Sequence, residues 1–116
     1  MADVVVTVPK RFGLVAWIAE GDPAGAPWSG NIWHFNLWGR PPQIAPGERV
    51  YVVYNGKLRG YAPLVRISRA GPDFSLVRHG GAVAVTIDEE ITGFRGYRYR
   101  WWEIEQERPF PDWRIP

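Results

Sequence analysis

One stretch of nine residues, Phe94-Arg95-Gly96-Tyr97-Arg98-Tyr99-Arg100-Trp101-Trp102, sets three arginines among large aromatic rings. Read as a strand, it places Tyr97, Tyr99, Trp101 and Glu103 on one face. Arg98, Arg100, Trp102 and Ile104 fall on the other. Rings that stack bases contribute roughly 1–3 kcal/mol each, and guanidinium groups pair with phosphates, so the mixture suits single-stranded nucleic acid. The same alternation also describes a wall whose rings fill a core while Arg98 and Arg100 face water. The nearby Glu103, Glu105 and Glu107 would oppose phosphate. Both readings stay open at the level of this stretch.

A second group is Trp28, Trp33, His34, Asn36 and Trp38, with Ser29-Gly30-Asn31 between them. A pocket for a flipped base needs stacking planes together with donors and acceptors for the base edge, and these residues supply both. The competing use of Trp33 and Phe35 is core packing. A third group is Lys57 and Arg59, where phosphate contact and a solvated strand face are equally compatible with the pattern. The candidate ligand-binding residues are therefore Trp28, Trp33, His34, Trp38, Lys57, Arg59, Arg98 and Arg100.

Signals for catalysis are thin. His34 and His79 lack the i, i+4 partner or carboxylate cluster of a zinc site. Gly80-Gly81 is not followed by the Lys-Ser/Thr of a phosphate loop, and Thr86 and Ser75 have no evident activating base. Asp88-Glu89-Glu90 reads as a solvated loop that could also hold a divalent ion. No catalytic residue, metal ligand or cofactor is expected.

The elements that must position these groups are short. Residues 3–8 form a β-branched strand ended by Pro9, and residues 12–20 are the one plausible helix, apolar enough to plug a core. Gly21 and Asp22-Pro23 stop that helix. Residues 22–31 form a loop carrying Trp28. The segment Ile32–Trp38 alternates, with Trp33, Phe35 and Leu37 opposite Ile32, His34, Asn36 and Trp38. The clearest signal is RVYVVY-NG-KLRGYAPLVRI, a hairpin about the type I′ pair Asn55-Gly56. A two-residue loop pairs Tyr54 with Lys57, Val52 with Arg59 and Val50 with Tyr61, and Gly60 suggests a bulge. A second hairpin is predicted in FSLVRH-GG-AVAVTI. Residues 88–93 form a loop, the opening stretch is a final strand, and residues 107–116 are a proline-punctuated tail.

At 116 residues the chain is read as one domain, residues 1–116, able to bury a core without staples. Absence of cysteine excludes disulfides and thiolate metal sites and fits a cytoplasmic location. No apolar run approaches the roughly 20 residues of a membrane span. Seven tryptophans, 11 prolines and 13 glycines favour many short elements over a helical bundle. The net charge is only +2, but residues 49–100 hold nine basic and four acidic side chains. That concentration suits an anionic partner.

The run Gly47-Glu48-Arg49-Val50-Tyr51-Val52-Val53-Tyr54, followed by Asn55-Gly56-Lys57-Leu58-Arg59-Gly60-Tyr61, resembles the central hairpin of PUA-like domains, which include the ASCH and EVE families. In them a G-[DE]-x-V-hydrophobic strand precedes a turn and a return strand x-G-x-hydrophobic. The likeness covers roughly residues 32–67. It implies a pseudo-barrel whose cleft accepts RNA or a modified or flipped base. The ASCH signature G-x-K-x-x-E-x-R is absent, and Lys10 and Lys57 are the only lysines. The lysine-dependent amidohydrolase chemistry therefore does not carry over.

The expectation is a mostly β (α+β) pseudo-barrel of six to seven strands with one short N-terminal helix. Its expected function is binding RNA, DNA or a modified nucleobase in an aromatic cleft with a basic rim. The alternatives are a small hydrolase of the same architecture, acting as a nuclease or nucleoside amidohydrolase, and a protein–protein module with exposed tryptophan anchors.

Overall fold

The computed structural model describes residues 2–19 and 32–111. The expected helix stop at Gly21, the loop with Trp28 and the last five residues of the tail lie outside them. A six-stranded sheet, curled into a half-barrel, runs in the order β2-β5-β4-β3-β1-β7. Its strands are β1 (Val4–Thr7), β2 (Ile32–Trp38), β3 (Arg49–Tyr54), β4 (Lys57–Ala70), β5 (Asp73–His79) and β7 (Tyr97–Tyr99). A separate two-stranded pair joins β6 (Val85–Thr86) to β8 (Arg108–Pro109). The mostly β expectation holds.

The middle of the sheet is buried on both faces. β1 lies parallel to β3, with Val4 opposite Val50, Val5 opposite Tyr51 and Val6 opposite Val52. Such two-sided burial explains the unbroken runs VVVT and VYVVY, which lack the alternation of a half-solvated strand. Val4, Val6, Val50 and Val52 join Leu64 and Phe74 on the inner face. Val5, Tyr51, Val53 and Leu58 meet Ile87, Ile91 and Trp102 on the outer face. Each buried valine contributes about 1.5–3 kcal/mol, so these few residues carry much of the folding free energy.

β4 makes the sheet curl. Its first half pairs with β3 and its second with β5, and a bulge interrupts each ladder. Bulges bend a strand and sharpen its twist, so one 14-residue strand turns the corner between the two halves of the sheet. The Asn55-Gly56 turn forms with φ of 52° and 79°, as the sequence predicts. The bulge at Gly60 also forms. It shifts the register by one: Val52 pairs with Gly60 and Tyr51 with Tyr61, so the expected pairings Val52–Arg59 and Val50–Tyr61 are corrected.

Three further expectations are corrected. Gly80-Gly81 is not a hairpin turn; β5 pairs with β4 on one side and β2 on the other. The chain reverses instead at Gly71-Pro72. The fully buried Arg78 donates from Nη1 to the carbonyls of His79 (2.8 Å) and Gly81 (3.0 Å), folding this segment into a bend. The final strand shrinks to the three residues of β7. The helix α1 spans only Leu14–Ala19, because Gly13 at φ 78° separates it from a 3-10 turn at Lys10–Phe12. Val15 on that helix is 78% exposed, so the helix does not plug the core as a whole.

The outer core is sealed by a polar knot. Glu107 accepts hydrogen bonds from the Tyr51 hydroxyl (2.5 Å), the Trp102 indole (2.8 Å) and Arg49 (3.4 Å). Arg49 also donates to the Tyr51 oxygen at 2.9 Å and lies 4.1 Å over the Tyr61 ring. Burial and the Glu107 carboxylate push the Tyr51 phenol well above its ordinary range. Substituting Glu107→Ala removes the acceptor of the Tyr51 hydroxyl and the Trp102 indole and the ion pair of Arg49, and is expected to cost about 3 kcal/mol in urea denaturation. Tyr51→Phe is expected to cost about 1 kcal/mol at pH 7. Because the folded state holds the Tyr51 proton more tightly, that contribution is complete below about pH 10 and fades as pH rises above it. The stability gap between Tyr51→Phe and the parent is therefore expected to narrow in alkali.

Candidate functional site

A half-barrel leaves a seam between its edge strands, β2 and β7. Across it the Phe74 and Tyr97 rings meet edge to face at 6.2 Å. The Tyr97 hydroxyl donates to the Arg40 carbonyl (3.1 Å), and the Gln43 N–H donates to the Tyr99 oxygen (2.9 Å). Burial, then the neighbouring Tyr99, raises the Tyr97 phenol pKa. These bonds tie one stretch of the seam shut.

Elsewhere the seam gapes into a groove of about 590 Å³. One wall is β2 from Trp33 to Trp38, and the other is the end of β1 with Arg11, Phe12 and residues 94–96. The far wall is fixed to β1, since the Phe94 N–H donates to Thr7 Oγ1 at 3.3 Å. Gly96, at φ 74°, turns the chain there from this wall into β7. Trp33 forms the floor, 9% exposed and edge-on to Phe12 with ring centres 5.6 Å apart. His34 and Asn36 are exposed, and Trp38 stands 83% exposed at the mouth. Two guanidinium-bearing residues, Arg11 and Arg95, are also exposed on this groove. Among its described lining residues there is no carboxylate.

Trp33, His34 and Trp38 thus line one groove, although the alternation of β2 sets Trp33 on the strand face opposite His34 and Trp38. The other candidates scatter. Trp28 lies outside the described residues. Lys57 is exposed at the hairpin turn and does not line the groove. Arg59 is the extra residue of the β4 bulge and is 1% exposed, its guanidinium 4.1 Å over the Phe110 ring. Arg100 is bound to Asp3 through its side chain (3.1 Å), and it also donates to the Trp102 carbonyl. Its backbone N–H reaches the Asp3 carbonyl at 2.9 Å, so it fastens the chain beyond β7 to the start of β1. Arg98 is exposed and stacks 4.5 Å over Phe94. It lines a different hollow, of about 600 Å³, with Glu89, Glu90, Tyr99 and Trp101. There Trp101 donates to Glu89 at 3.2 Å.

Arg11, Phe12, Phe94 and Arg95 were not among the sequence candidates. Arg95 belonged to the arginine-aromatic stretch, but an uninterrupted strand would have set it on the Tyr97 and Tyr99 face and gave no sign of the turn at Gly96 that sends it to a different wall. Arg11 follows a strand end, and nothing local in the sequence says which edge that end adjoins. No group of three or more His, Cys, Asp or Glu side chains among the described residues is placed to hold a metal ion.

The two tryptophans of β2 are separable by stability. Trp33→Ala is expected to cost about 3–5 kcal/mol in thermal or chemical unfolding, because it empties the groove floor and the inner core together. Trp38→Ala, on an exposed face, is expected to stay within about 0.5 kcal/mol. The chain matches no family model, no curated protein and no solved structure.

Proposed function

We propose that the seam groove binds an unpaired base of RNA or DNA, with Arg11 and Arg95 contacting the adjoining phosphates and no catalysis by the groove itself. The observation that carries this reading is the convergence of Trp33, His34 and Trp38 on one open groove with two exposed arginines and no described carboxylate. The groove supplies apolar planes for stacking and fixed positive charge for the backbone, the two terms that bind single strands without sequence preference. The PUA-like resemblance of the β3–β4 hairpin points the same way, toward a pseudo-barrel that takes RNA or a modified or flipped base. A base carried on a strand fits better than a free small molecule, because both arginines lie on the wall opposite Trp38.

A second reading has its own observation. Tyr99 and Trp101 are 47% and 40% exposed beside Glu89 and Glu90, a mixed aromatic-acidic surface suited to a protein partner. It lies on a different hollow from the groove.

Fluorescence titration with short oligonucleotides at several salt concentrations separates the two. Base binding is expected to quench tryptophan emission, with log K falling against log salt at about 0.7 per phosphate neutralised on a single strand. The double change Arg11→Ala/Arg95→Ala is expected to flatten that slope by about 1.4. Trp38→Ala is expected to weaken binding by about 1–3 kcal/mol. Salt-independent self-association without oligonucleotide binding would favour the protein-partner reading instead.

A further inference from the structure

The groove's β2 wall is the outer edge of a strand. Six consecutive residues, Trp33 to Trp38, line it, so side chains of both faces take part. A strand shows both faces to one cavity only along its edge. β2 is the terminal strand of the sheet, so the edge away from β5 is the one that lines the seam.

The pairing register fixes which peptide groups point there. One step beyond the last ladder pair, Trp38–Asp73, the Gly39 N–H donates to the Pro72 carbonyl at 3.3 Å, continuing the same register. In an antiparallel pair, residues alternate between those bonded to the partner strand and those turned away. Leu37, Phe35 and Trp33 share the parity of Gly39 and bond toward β5. The N–H and C=O groups of His34, Asn36 and Trp38 therefore point into the groove. The side-chain contact Ser75 Oγ to Asn36 Oδ1, 2.6 Å, agrees with this, because non-hydrogen-bonded pairs bring their side chains closest. That bond also fixes the Asn36 amide, leaving Nδ2 as a donor on the outer face.

On these grounds we infer that the groove reads the Watson–Crick edge of an unpaired base through the main chain of His34 and Asn36. It thus selects for strandedness and an unblocked pairing edge rather than for base identity. This rests on the base-binding reading above and specifies its ligand. An N–H and a C=O on the same side of one extended residue offer a donor beside an acceptor. Every nucleobase carries a matching acceptor–donor neighbour on its pairing edge, such as O4 and N3–H of uracil or N1 and N6–H of adenine. A ring bound this way continues the plane of the sheet. Its two faces then meet the two side-chain faces of β2, His34 and Trp38 on one side, Trp33 with Phe12 on the other. A base already paired in a duplex has no such edge to offer. A methyl group on the edge nitrogen removes the donor and strands the opposing carbonyl, whereas a methyl at pyrimidine C5 touches neither.

The test compares short oligouridylate with oligo(N3-methyluridylate) and oligo(5-methyluridylate) of equal length and charge, by tryptophan quenching and anisotropy. N3-methylation is expected to weaken binding about tenfold or more, and 5-methylation to leave it within about threefold. A matched duplex is expected to bind no better than the N3-methyl strand. In the protein, Asn36→Pro deletes the groove-facing N–H without breaking a β2–β5 ladder bond, a place where an edge strand tolerates proline. It is expected to weaken oligouridylate about tenfold, while Asn36→Ala, which keeps that N–H, discriminates between the methyl isomers as the parent does. Equal affinity for all three strands would overturn main-chain reading while leaving base binding intact. Failure of every oligonucleotide to bind would overturn both. Should Asn36→Pro unfold, the comparison of methyl isomers on the parent protein still decides the matter.

Discussion

The parallel contact of β1 with β3 is the constraint on which the rest of the molecule depends. Four valines and a tyrosine there, Val4, Val6, Val50, Val52 and Tyr51, are sealed from water on a sheet that has apolar side chains on both faces. Such a sheet is stable only when something covers each side. Inside, the cover is the rest of the curled sheet with Phe12, Trp33 and Phe35. Outside, it is the irregular C-terminal third of the chain, carrying Ile87, Ile91 and Trp102. The polar knot at Glu107 lets the contact between that cover and β3 hold a carboxylate against Arg49, Tyr51 and Trp102, all bonded to it. Ile91 adds a backbone bond to the Gly56 carbonyl at 2.8 Å, anchoring this layer to the tip of the central hairpin.

Covering both faces uses up chain, and closure of the barrel suffers. β4 supplies enough bend to bring β2 round toward β1, yet β7 contributes only three residues at the opposite edge. Phe74, Tyr97 and Tyr99 bridge the seam where they can reach. Where they cannot, the edge of β2 faces a groove. The groove is thus a by-product of incomplete closure, and its chemistry is that of a strand edge flanked by whichever side chains line the two lips.

The arginines show how far composition and tertiary structure can diverge. Residues 49–100 are rich in basic side chains, but several of those charges are committed to the fold. Arg49 sits in the Glu107 knot, Arg59 lies under Phe110, Arg78 binds the carbonyls of the 79–81 bend, and Arg100 pairs with Asp3. Arg59 and Arg78 are buried, where a guanidinium is costly to place, while Arg49 and Arg100 stay partly exposed in their ion pairs. Those left exposed in or near the seam, Arg11, Arg40, Arg95 and Arg98, come from three distant parts of the chain.

Local rules were enough for part of this. The strand alternation of β2, the Asn55-Gly56 turn, the bulge at Gly60 and the valine-rich central strands all follow from backbone sterics and side-chain period, which neighbouring residues set among themselves. Gly80-Gly81 imitated a hairpin turn because two glycines permit one. What overruled it was Arg78, whose bonds to the 79–81 carbonyls come with a neighbourhood of strands assembled from far along the chain. The extra residue at Arg59 flipped a candidate phosphate ligand into the interior, and a one-residue shift of register has that effect wherever side chains alternate. Whether an arginine meets a carboxylate, a ring or water, and whether a strand is an edge or an interior member of its sheet, depends on contacts between residues tens of positions apart. Local sequence carries no energy term for such contacts, and so the groove belongs to the tertiary structure alone.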